Sequence, residues 1–200
     1  MEAGEALAAR RSCRSYSPEP IPSELLGYVL RAALQGPSAG NSDALDLVVL
    51  EGRPETDSYW DVTLPPGPRR DGFGWPGLLL APVLVIPTVR PQSYVDRYAE
   101  PDKAGAGLGG STDDWSVPYW YVDGGASIMA MLISATSFGL GSLLFGQFGH
   151  AEAVAERFGI PGDRRALGTV AIGWPAPGRG GRSARRGRPP VEEIVHRSRW

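Results

Sequence analysis

The hydrophobic and polar positions along the chain predict helices mixed with short buried strands. Leucine and valine recur at helical spacing after Ser23, which is typical of a helix start. Apolar runs at Leu45–Leu50, Leu78–Ile86 and Leu167–Ile172 predict strands. The second run is apolar throughout, so we expect it at the centre of a sheet.

A longer apolar stretch in the second half predicts a buried helix. It covers Ala126–Phe138, is apolar nearly all round, and follows Asp123, which we expect to cap it. Such a helix belongs inside a fold or at a subunit interface. A short strand over Leu143–Phe145 and an amphipathic helix over Ala151–Phe158 are predicted after it.

Two stretches rich in proline and glycine, Gly52–Gly77 and Pro91–Trp120, are predicted to be irregular. Structureless stretches of this length are uncommon in compact domains and usually have a function. With its short strands and few helices, the chain is expected to be of the α+β or α/β class, with a small sheet.

The amino-acid composition excludes several types of protein. The 200 residues carry 20 basic and 22 acidic side chains, for a net charge of −2, and 42% are hydrophobic. This balance excludes a wholly disordered chain. One cysteine and two histidines exclude an intrachain disulfide and a Cys/His zinc site, so we expect no metal. No apolar stretch reaches the ~20 residues of a membrane span, so we expect a cytoplasmic protein without a membrane partner.

Arginines gather near both ends of the chain and suit phosphate recognition, because the guanidinium is planar and always charged. The first group comprises Arg10, Arg11, Ser12 and Arg14, and the second comprises Arg179, Arg182, Arg185, Arg186 and Arg188. For either group alone, a solvated charged chain end is the favoured explanation. Residues 179–199 hold seven arginines against two glutamates, but the rest of the chain is net negative and no nucleic-acid motif is present. A small phosphorylated ligand is therefore a simpler partner than nucleic acid.

Several segments, in this order, resemble the FMN-dependent nitroreductase superfamily. They are Arg10–Pro22, Gln35–Ser42, Ala126–Gly141, Leu167–Pro175 and Arg186–Val195. The resemblance implies one domain over residues 1–200, of the α+β class. Its expected architecture is an α/β/α sandwich with a small, mostly antiparallel central sheet flanked by helices. It also implies an intertwined homodimer with FMN at the subunit interface.

The resemblance also implies roles for individual residues. FMN phosphate and ribityl contacts would come from Arg10, Arg11, Ser12, Arg14, Arg186 and Arg188. Flavin contacts from the partner subunit would come from Pro37, Ser38, Ala39 and Asn41, and backbone near flavin N5 from Leu144, Phe145, Gly146 and Gln147. The chemistry would be carried by tightly bound FMN, so no catalytic side chain is assigned.

The family resemblance leaves the substrate open, and the sequence departs from the pattern in two places. Asp43 stands where a glutamine is common, and Phe73–Pro76 stands where many members place a polar pair. Residues 90–122 form the variable substrate side, and 175–200 form a basic C-terminal extension. Substrate contacts are predicted for Asp43, Tyr94, Tyr98, Trp115, Tyr119 and Trp120. The alternative is that the aromatic residues only pack a long loop and that Asp43 is a surface turn residue.

The implied reaction is ping-pong electron transfer from NAD(P)H to a small aromatic acceptor such as a nitro compound or quinone. The alternative is a specialised FMN-dependent dehydrogenase or oxidase, which would act on a biosynthetic intermediate and pass electrons to oxygen.

Overall fold

A computed structural model of the protein describes residues 1–178 and 187–200. Within these residues the sheet has five strands, and every pair of neighbouring strands is antiparallel. The strands are β1 (Leu45–Glu51), β2 (Val83–Val89), β3 (Gly141–Phe145), β4 (Arg165–Ala166) and β5 (Thr169–Gly173). Their order is β1-β2-β5-β3, with β4 paired to β2. The small, mostly antiparallel sheet expected from the family resemblance is confirmed.

Helices cover both faces of this sheet. They are α1 (Ala3–Ala9), α2 (Ser23–Ala32), α3 (Arg53–Thr63), α4 (Pro68–Asp71), α5 (Pro91–Tyr98), α6 (Tyr119–Ser137), α7 (Ala151–Phe158) and α8 (Val191–Ile194). On β2, Val83 and Val85 face α2 and α6, whereas Leu84 and Ile86 face α3 and α7. Alternate side chains of one strand therefore enter two cores, which makes three layers.

The two stretches predicted to be irregular each contain a helix, so this prediction is wrong. Residues 52–77 include α3, and residues 91–120 include α5. Both helices carry proline in the first turn, Pro54 in α3 and Pro91 in α5. The first turn needs no intrahelical N–H donor, so proline there begins a helix instead of breaking it.

The boundaries of α6 and β2 also differ from the prediction. The helix begins at Tyr119, so Asp123 lies inside its second turn and is buried instead of capping it. The strand begins only at Val83, because Pro76–Leu80 forms a 3₁₀ turn before it. In the described residues, no helix is long and apolar enough to cross a membrane.

The segment after α1 runs along the sheet edge and brings the first arginine group to β3. Ser12 forms a parallel bridge with Ser142, and the Cys13 N–H donates to the Ser142 carbonyl at 3.0 Å. Tyr16 is buried, and its N–H donates to the Gly77 carbonyl at 3.0 Å. These backbone hydrogen bonds fix the position of the arginine-bearing segment relative to the edge of the sheet.

Candidate functional site

Two adjoining cavities of about 370 and 520 Å³ share Arg14, Phe73 and Trp75 as lining residues. We refer to them together as the arginine groove. The smaller is also lined by Tyr59, Trp60 and His150, and by residues 143–148 at the end of β3 and just after it. The larger is lined by Ser15, Asp71–Gly77, Pro177 and Gly178. Volumes of this size suit a small organic ligand.

Among the residues that the structure describes, Arg14 places a cation in this groove. Its guanidinium carbon lies 5.7 Å from the centre of the Trp75 ring, and its Nη1 donates to the Ser12 carbonyl at 3.3 Å. Phe73 packs against Trp75 edge to face at 5.9 Å. The positive charge is thus held against an aromatic wall, formed by the segment that departs from the pattern of the resembled family.

The other predicted phosphate ligands are placed differently. Arg11 is exposed, and its Nη1 donates to the Ala8 carbonyl at 2.6 Å. Arg10 is half-buried, Ser12 is exposed, and neither they nor Arg11 line the two cavities of the groove. Arg188 is exposed. Arg186, like Arg179, Arg182 and Arg185, lies outside the described residues.

The segment predicted to approach the flavin does line the groove. Leu144 and Phe145 end the strand β3, Gly146 and Gln147 follow it, and all four line the smaller cavity together with Phe148. Phe148 has φ +46° and is 90% exposed. A Cβ on Gly146 would lie 3.0 Å from the Phe148 ring, so the ring leans over this glycine. We call residues 146–148 the Phe148 turn. The left-handed backbone conformation of its phenylalanine is energetically unfavourable, so the surrounding structure must maintain it.

A buried network of neutral groups supports the Phe148 turn from behind. Thr169 Oγ1 lies 2.8 Å from the Tyr59 hydroxyl and accepts from Gln147 Nε2 at 3.2 Å. Burial raises the pKa of Tyr59 to about 12, so its phenol stays protonated. Among the described residues, Gln147 Oε1 and Trp60 Nε1 have no hydrogen-bond partner. The sequence carried no local signal for Tyr59, Trp60 or Thr169, which read as ordinary core positions.

The small-residue loop predicted to contact the flavin is strained as well. Gly40, Asn41 and Asp43 all have positive φ, at +66°, +58° and +46°. We call residues 37–43 the Asn41 loop. The Ser42 hydroxyl donates to the Ala39 carbonyl at 2.5 Å. A cavity of about 90 Å³ lies beneath the loop and is lined by Ser38, Asn41, Asp43, Tyr94 and Asp123, among others.

Charged groups on α5 and α6 hold the Asn41 loop. Asp123 Oδ2 accepts hydrogen bonds from the Ala39 N–H at 2.7 Å and from the Tyr94 hydroxyl at 2.9 Å. Arg97 Nε donates to the Gly40 carbonyl at 2.8 Å. Burial, and then the neighbouring Asp123 carboxylate, raises the pKa of Tyr94. The sequence signal for Asp123 was present, because a lone carboxylate in a nearly all-apolar helix is expected to be paired.

The predicted substrate-side aromatic residues form one cluster around Trp115. The rings of Tyr94, Tyr98, Tyr119 and Trp120 lie 4.8–6.2 Å from the Trp115 ring, centre to centre. The burial of Tyr94, Trp115 and Trp120 favours the packing alternative for these three. A cavity of about 310 Å³ is nevertheless left open between Ala39, Tyr98, Leu108, Trp115, Ser116, Val117 and Tyr119.

Within one chain, the Asn41 loop and the arginine groove are separate. The two cavities beside the loop share no lining residue with the two cavities of the groove. The chain therefore brings Arg14 and the Phe148 turn together, and the loop and the aromatic cluster together. In the described part of the chain, no three His, Cys, Asp or Glu side chains gather in a way that could hold a metal ion.

Comparison with known proteins places this chain among relatives of the same architecture. A family model described as "Nitroreductase family" matches residues 7–106 and 111–174. A Methanothermobacter thermautotrophicus protein, described as a proposed NADH dehydrogenase/NAD(P)H nitroreductase, is 25% identical over 179 residues, which is 88% of this chain and 78% of that protein.

Solved structures share the fold at lower identity. A nitroreductase family protein from Streptococcus pneumoniae superposes with a TM-score of 0.74 at 17% identity, covering 98% of this chain and 100% of the other. An FMN-dependent nitroreductase from Clostridium difficile gives a TM-score of 0.67 at 17% identity, covering 98% of both chains. The family model extends from before the first arginine group to the end of β5, and on that match the chain belongs to the nitroreductase family.

Proposed function

We propose that the protein is an FMN-dependent oxidoreductase that takes electrons from NAD(P)H and reduces a small aromatic acceptor. One observation carries the proposal: Arg14 and the Leu144–Gln147 segment, far apart in sequence, line the same cavity. The family resemblance implies that both lie at a flavin. The described relatives, a proposed NAD(P)H nitroreductase and an FMN-dependent nitroreductase, support the same reading.

The side chains of the arginine groove fit FMN. Arg14 offers a fixed charge for a phosphate, and Phe73 and Trp75 offer flat apolar surface for an aromatic ring system. FMN, when bound, would supply the hydride chemistry at its N5 atom, and the protein would supply position, electrostatics and a restricted cavity. We assign Arg10, Arg11, Ser12, Arg186 and Arg188 to the same phosphate as further candidates.

A homodimer is part of the proposal, because one chain leaves the Asn41 loop away from the groove. A second copy would bring its own Pro37, Ser38, Ala39 and Asn41 to the flavin. Exposed apolar side chains support such an interface. They include Tyr28, Leu34, Phe138, Leu144, Phe148, Val191, Ile194, Val195 and Trp200. In this assembly, residues 1–200 act as one FMN-binding domain with a basic extension from residue 175.

The cavity at Trp115 is the proposed acceptor site. It adjoins Ala39 on the Asn41 loop, so a substrate there would approach the flavin from the loop side. Tyr98 and Tyr119 offer their faces to an aromatic acceptor such as a nitro compound or a quinone. Asp43, the last residue of the same loop, is exposed and is a further substrate candidate.

A second candidate is an FMN-dependent dehydrogenase or oxidase that passes electrons to oxygen. The observation that favours it is the aromatic wall of Phe73 and Trp75, which replaces the polar pair common in the family. Anaerobic mixing with NADH or NADPH separates the two candidates. Rapid loss of flavin colour supports the reductase, and no loss supports the alternative.

The first test is the visible spectrum of the purified protein, with any released chromophore identified by mass. About one FMN per chain is expected. A colourless protein that takes up no added FMN contradicts the proposal.

Two variants then examine the groove. Arg14→Ala should weaken FMN binding by at least about tenfold, since a charge-assisted hydrogen bond contributes roughly 1.5–3 kcal/mol. Arg53→Ala removes an arginine of α3 that is paired with Asp57 at 2.8 Å, and it should leave the FMN dissociation constant unchanged. Equal affinities for both variants would remove Arg14 from the phosphate assignment.

A further inference from the structure

We propose that Asp123 is the positioning residue of the Asn41 loop: its buried carboxylate sets the shape in which the loop meets the flavin. This inference rests on the proposed function, in which the loop contacts FMN across the subunit interface. Asp123 itself need not touch FMN or substrate. It would act through the backbone of Ala39.

The first argument is the geometry of the carboxylate. Asp123 is 8% exposed, and its Oδ2 accepts from the Ala39 N–H at 2.7 Å and from the Tyr94 hydroxyl at 2.9 Å. A buried charge is tolerated only where hydrogen bonds compensate for lost water. Both donors converge on one oxygen, so this atom connects α6, α5 and the loop.

The second argument is the strain of the loop. Asn41 and Asp43 adopt positive φ although neither is glycine, and Gly40 precedes them with φ +66°. Such conformations persist only where the surroundings determine them. Arg97 holds the Gly40 carbonyl from outside, and Asp123 holds the Ala39 N–H from inside. The loop is therefore fixed by a donor on one side and an acceptor on the other.

The third argument is that the helix α6 packs directly against the residue that leads into the loop. A Cβ on Gly36 would lie 3.0 Å from the backbone nitrogen of Ser127, one helical turn after Asp123. Close packing of Gly36 on the α6 backbone fixes the distance between helix and loop. Asp123 thus acts from a rigid support.

The same carboxylate also connects the loop to the proposed acceptor cavity. The Tyr94 ring, whose hydroxyl donates to Asp123, packs edge to face on Trp115 at 5.6 Å and on Trp120 at 6.0 Å. Loss of the carboxylate should therefore disturb both faces of the loop. We expect a weaker flavin complex and a higher KM for the acceptor, with a smaller change in kcat.

The experiment compares Asp123→Ala, Asp123→Asn and a control, Asp96→Asn. Asp96 on α5 also accepts two side-chain hydrogen bonds, from Arg90 and Gln92, but it is exposed and does not contact the loop. Asparagine at position 123 keeps a carbonyl oxygen that can accept from both donors. It therefore separates hydrogen-bond acceptance from side-chain removal.

The first measurement is amide hydrogen exchange of Ala39 in the protein freed of flavin. We expect exchange at least about tenfold faster in Asp123→Ala, and near wild type in Asp123→Asn and Asp96→Asn. Unchanged exchange in Asp123→Ala overturns the inference. If Asp123→Ala does not fold, the test uses Asp123→Asn together with Tyr94→Phe, which removes one of the two donors and leaves the Ala39 bond. Wild-type exchange of Ala39 in Asp123→Asn then supports acceptance by the side-chain oxygen. Fast exchange of Ala39 in Asp123→Asn overturns the inference.

The second measurement is the FMN dissociation constant, by fluorescence titration, together with KM and kcat. The inference expects FMN binding to weaken by about tenfold in Asp123→Ala and to recover in Asp123→Asn. Faster exchange at Ala39 with unchanged FMN affinity and KM overturns the positioning role. A wild-type protein that binds no FMN contradicts the proposed function instead, and the exchange result still shows whether Asp123 holds the loop.

Discussion

The Asn41 loop and the Phe148 turn are both strained, but the protein supports them by different chemistry. Charged groups hold the loop: Asp123 accepts from Ala39, and Arg97 donates to Gly40. Neutral groups hold the turn, where Thr169 bonds both Gln147 and Tyr59. Charge-assisted hydrogen bonds are roughly twice as strong as neutral ones, so the loop should be the more rigid of the two.

The two regions also differ in what they leave unpaired. Behind the turn, Gln147 Oε1 and Trp60 Nε1 have no partner among the described residues, and the adjoining cavity measures about 370 Å³. The cavity under the loop measures only about 90 Å³. The turn therefore borders a cavity that can hold a ligand, whereas the loop is closely packed and forms a rigid surface for contact with a second copy of the chain.

The largest expected effect tests the charged support. Asp123→Ala leaves the Ala39 N–H and the Tyr94 hydroxyl without their acceptor, so the free energy of unfolding should fall by about 4 kcal/mol. Urea unfolding at pH 7 measures this change. A loss below about 1 kcal/mol would mean that the carboxylate does not stabilise the loop.

Alkaline pH tests the neutral support. The buried Tyr59 phenol has its pKa raised to about 12 from an ordinary value near 10, so the unfolded chain loses this proton first as the pH rises. Stability from this group is complete below pH 10 and is lost towards pH 12, by about 2.5 kcal/mol. Unfolding free energies of wild type and Tyr59→Phe across this window should show a shallower decline in the variant. An equal decline of the unfolding free energy with pH in wild type and Tyr59→Phe would contradict a stabilising role of the protonated Tyr59 phenol.

A near-isosteric change tests the same network without pH. Thr169→Val removes the hydroxyl that joins Tyr59 and Gln147, and it should cost about 2 kcal/mol of unfolding free energy. Val170→Ala, at a fully buried neighbouring position, is the control for a general core change. If the turn depends on the network, only Thr169→Val should increase amide exchange of His150, whose N–H donates to the Gln147 carbonyl at 2.9 Å.

The smallest effect concerns strain in the turn itself. Phe148→Gly should be more stable than Phe148→Ala by about 1 kcal/mol, because glycine adopts φ +46° without strain. This reverses the usual order, in which alanine is the more stable. Thermal unfolding of the two variants gives the comparison, and the ordinary order would show that Phe148 is not strained.

The sequence predicted the elements whose signals are local. The starts and ends of α2 and α7 and the strand β1 follow from apolar spacing, a helix start and glycine stops within a few residues. It failed at α3 and α5, because proline was read as a breaker when it occupies the first turn of a helix. It also placed the start of α6 too late, since a buried aspartate inside a helix resembles a cap.

The sequence by itself determined a chain of mixed helices and strands with a small sheet and an arginine group near each end, because these features depend on residue types and their order. The flanking of the sheet by helices and the segment expected at the flavin came from the family resemblance. Only the tertiary structure decided that Arg14 lines the groove while Arg11 bonds to its own backbone, and that Trp75 supplies the wall. It also decided that Asp123 and Thr169 support the two strained segments. The roles of Asp123 and Thr169 depend on contacts between residues more than 20 positions apart, and such contacts are fixed by packing and not by local pattern.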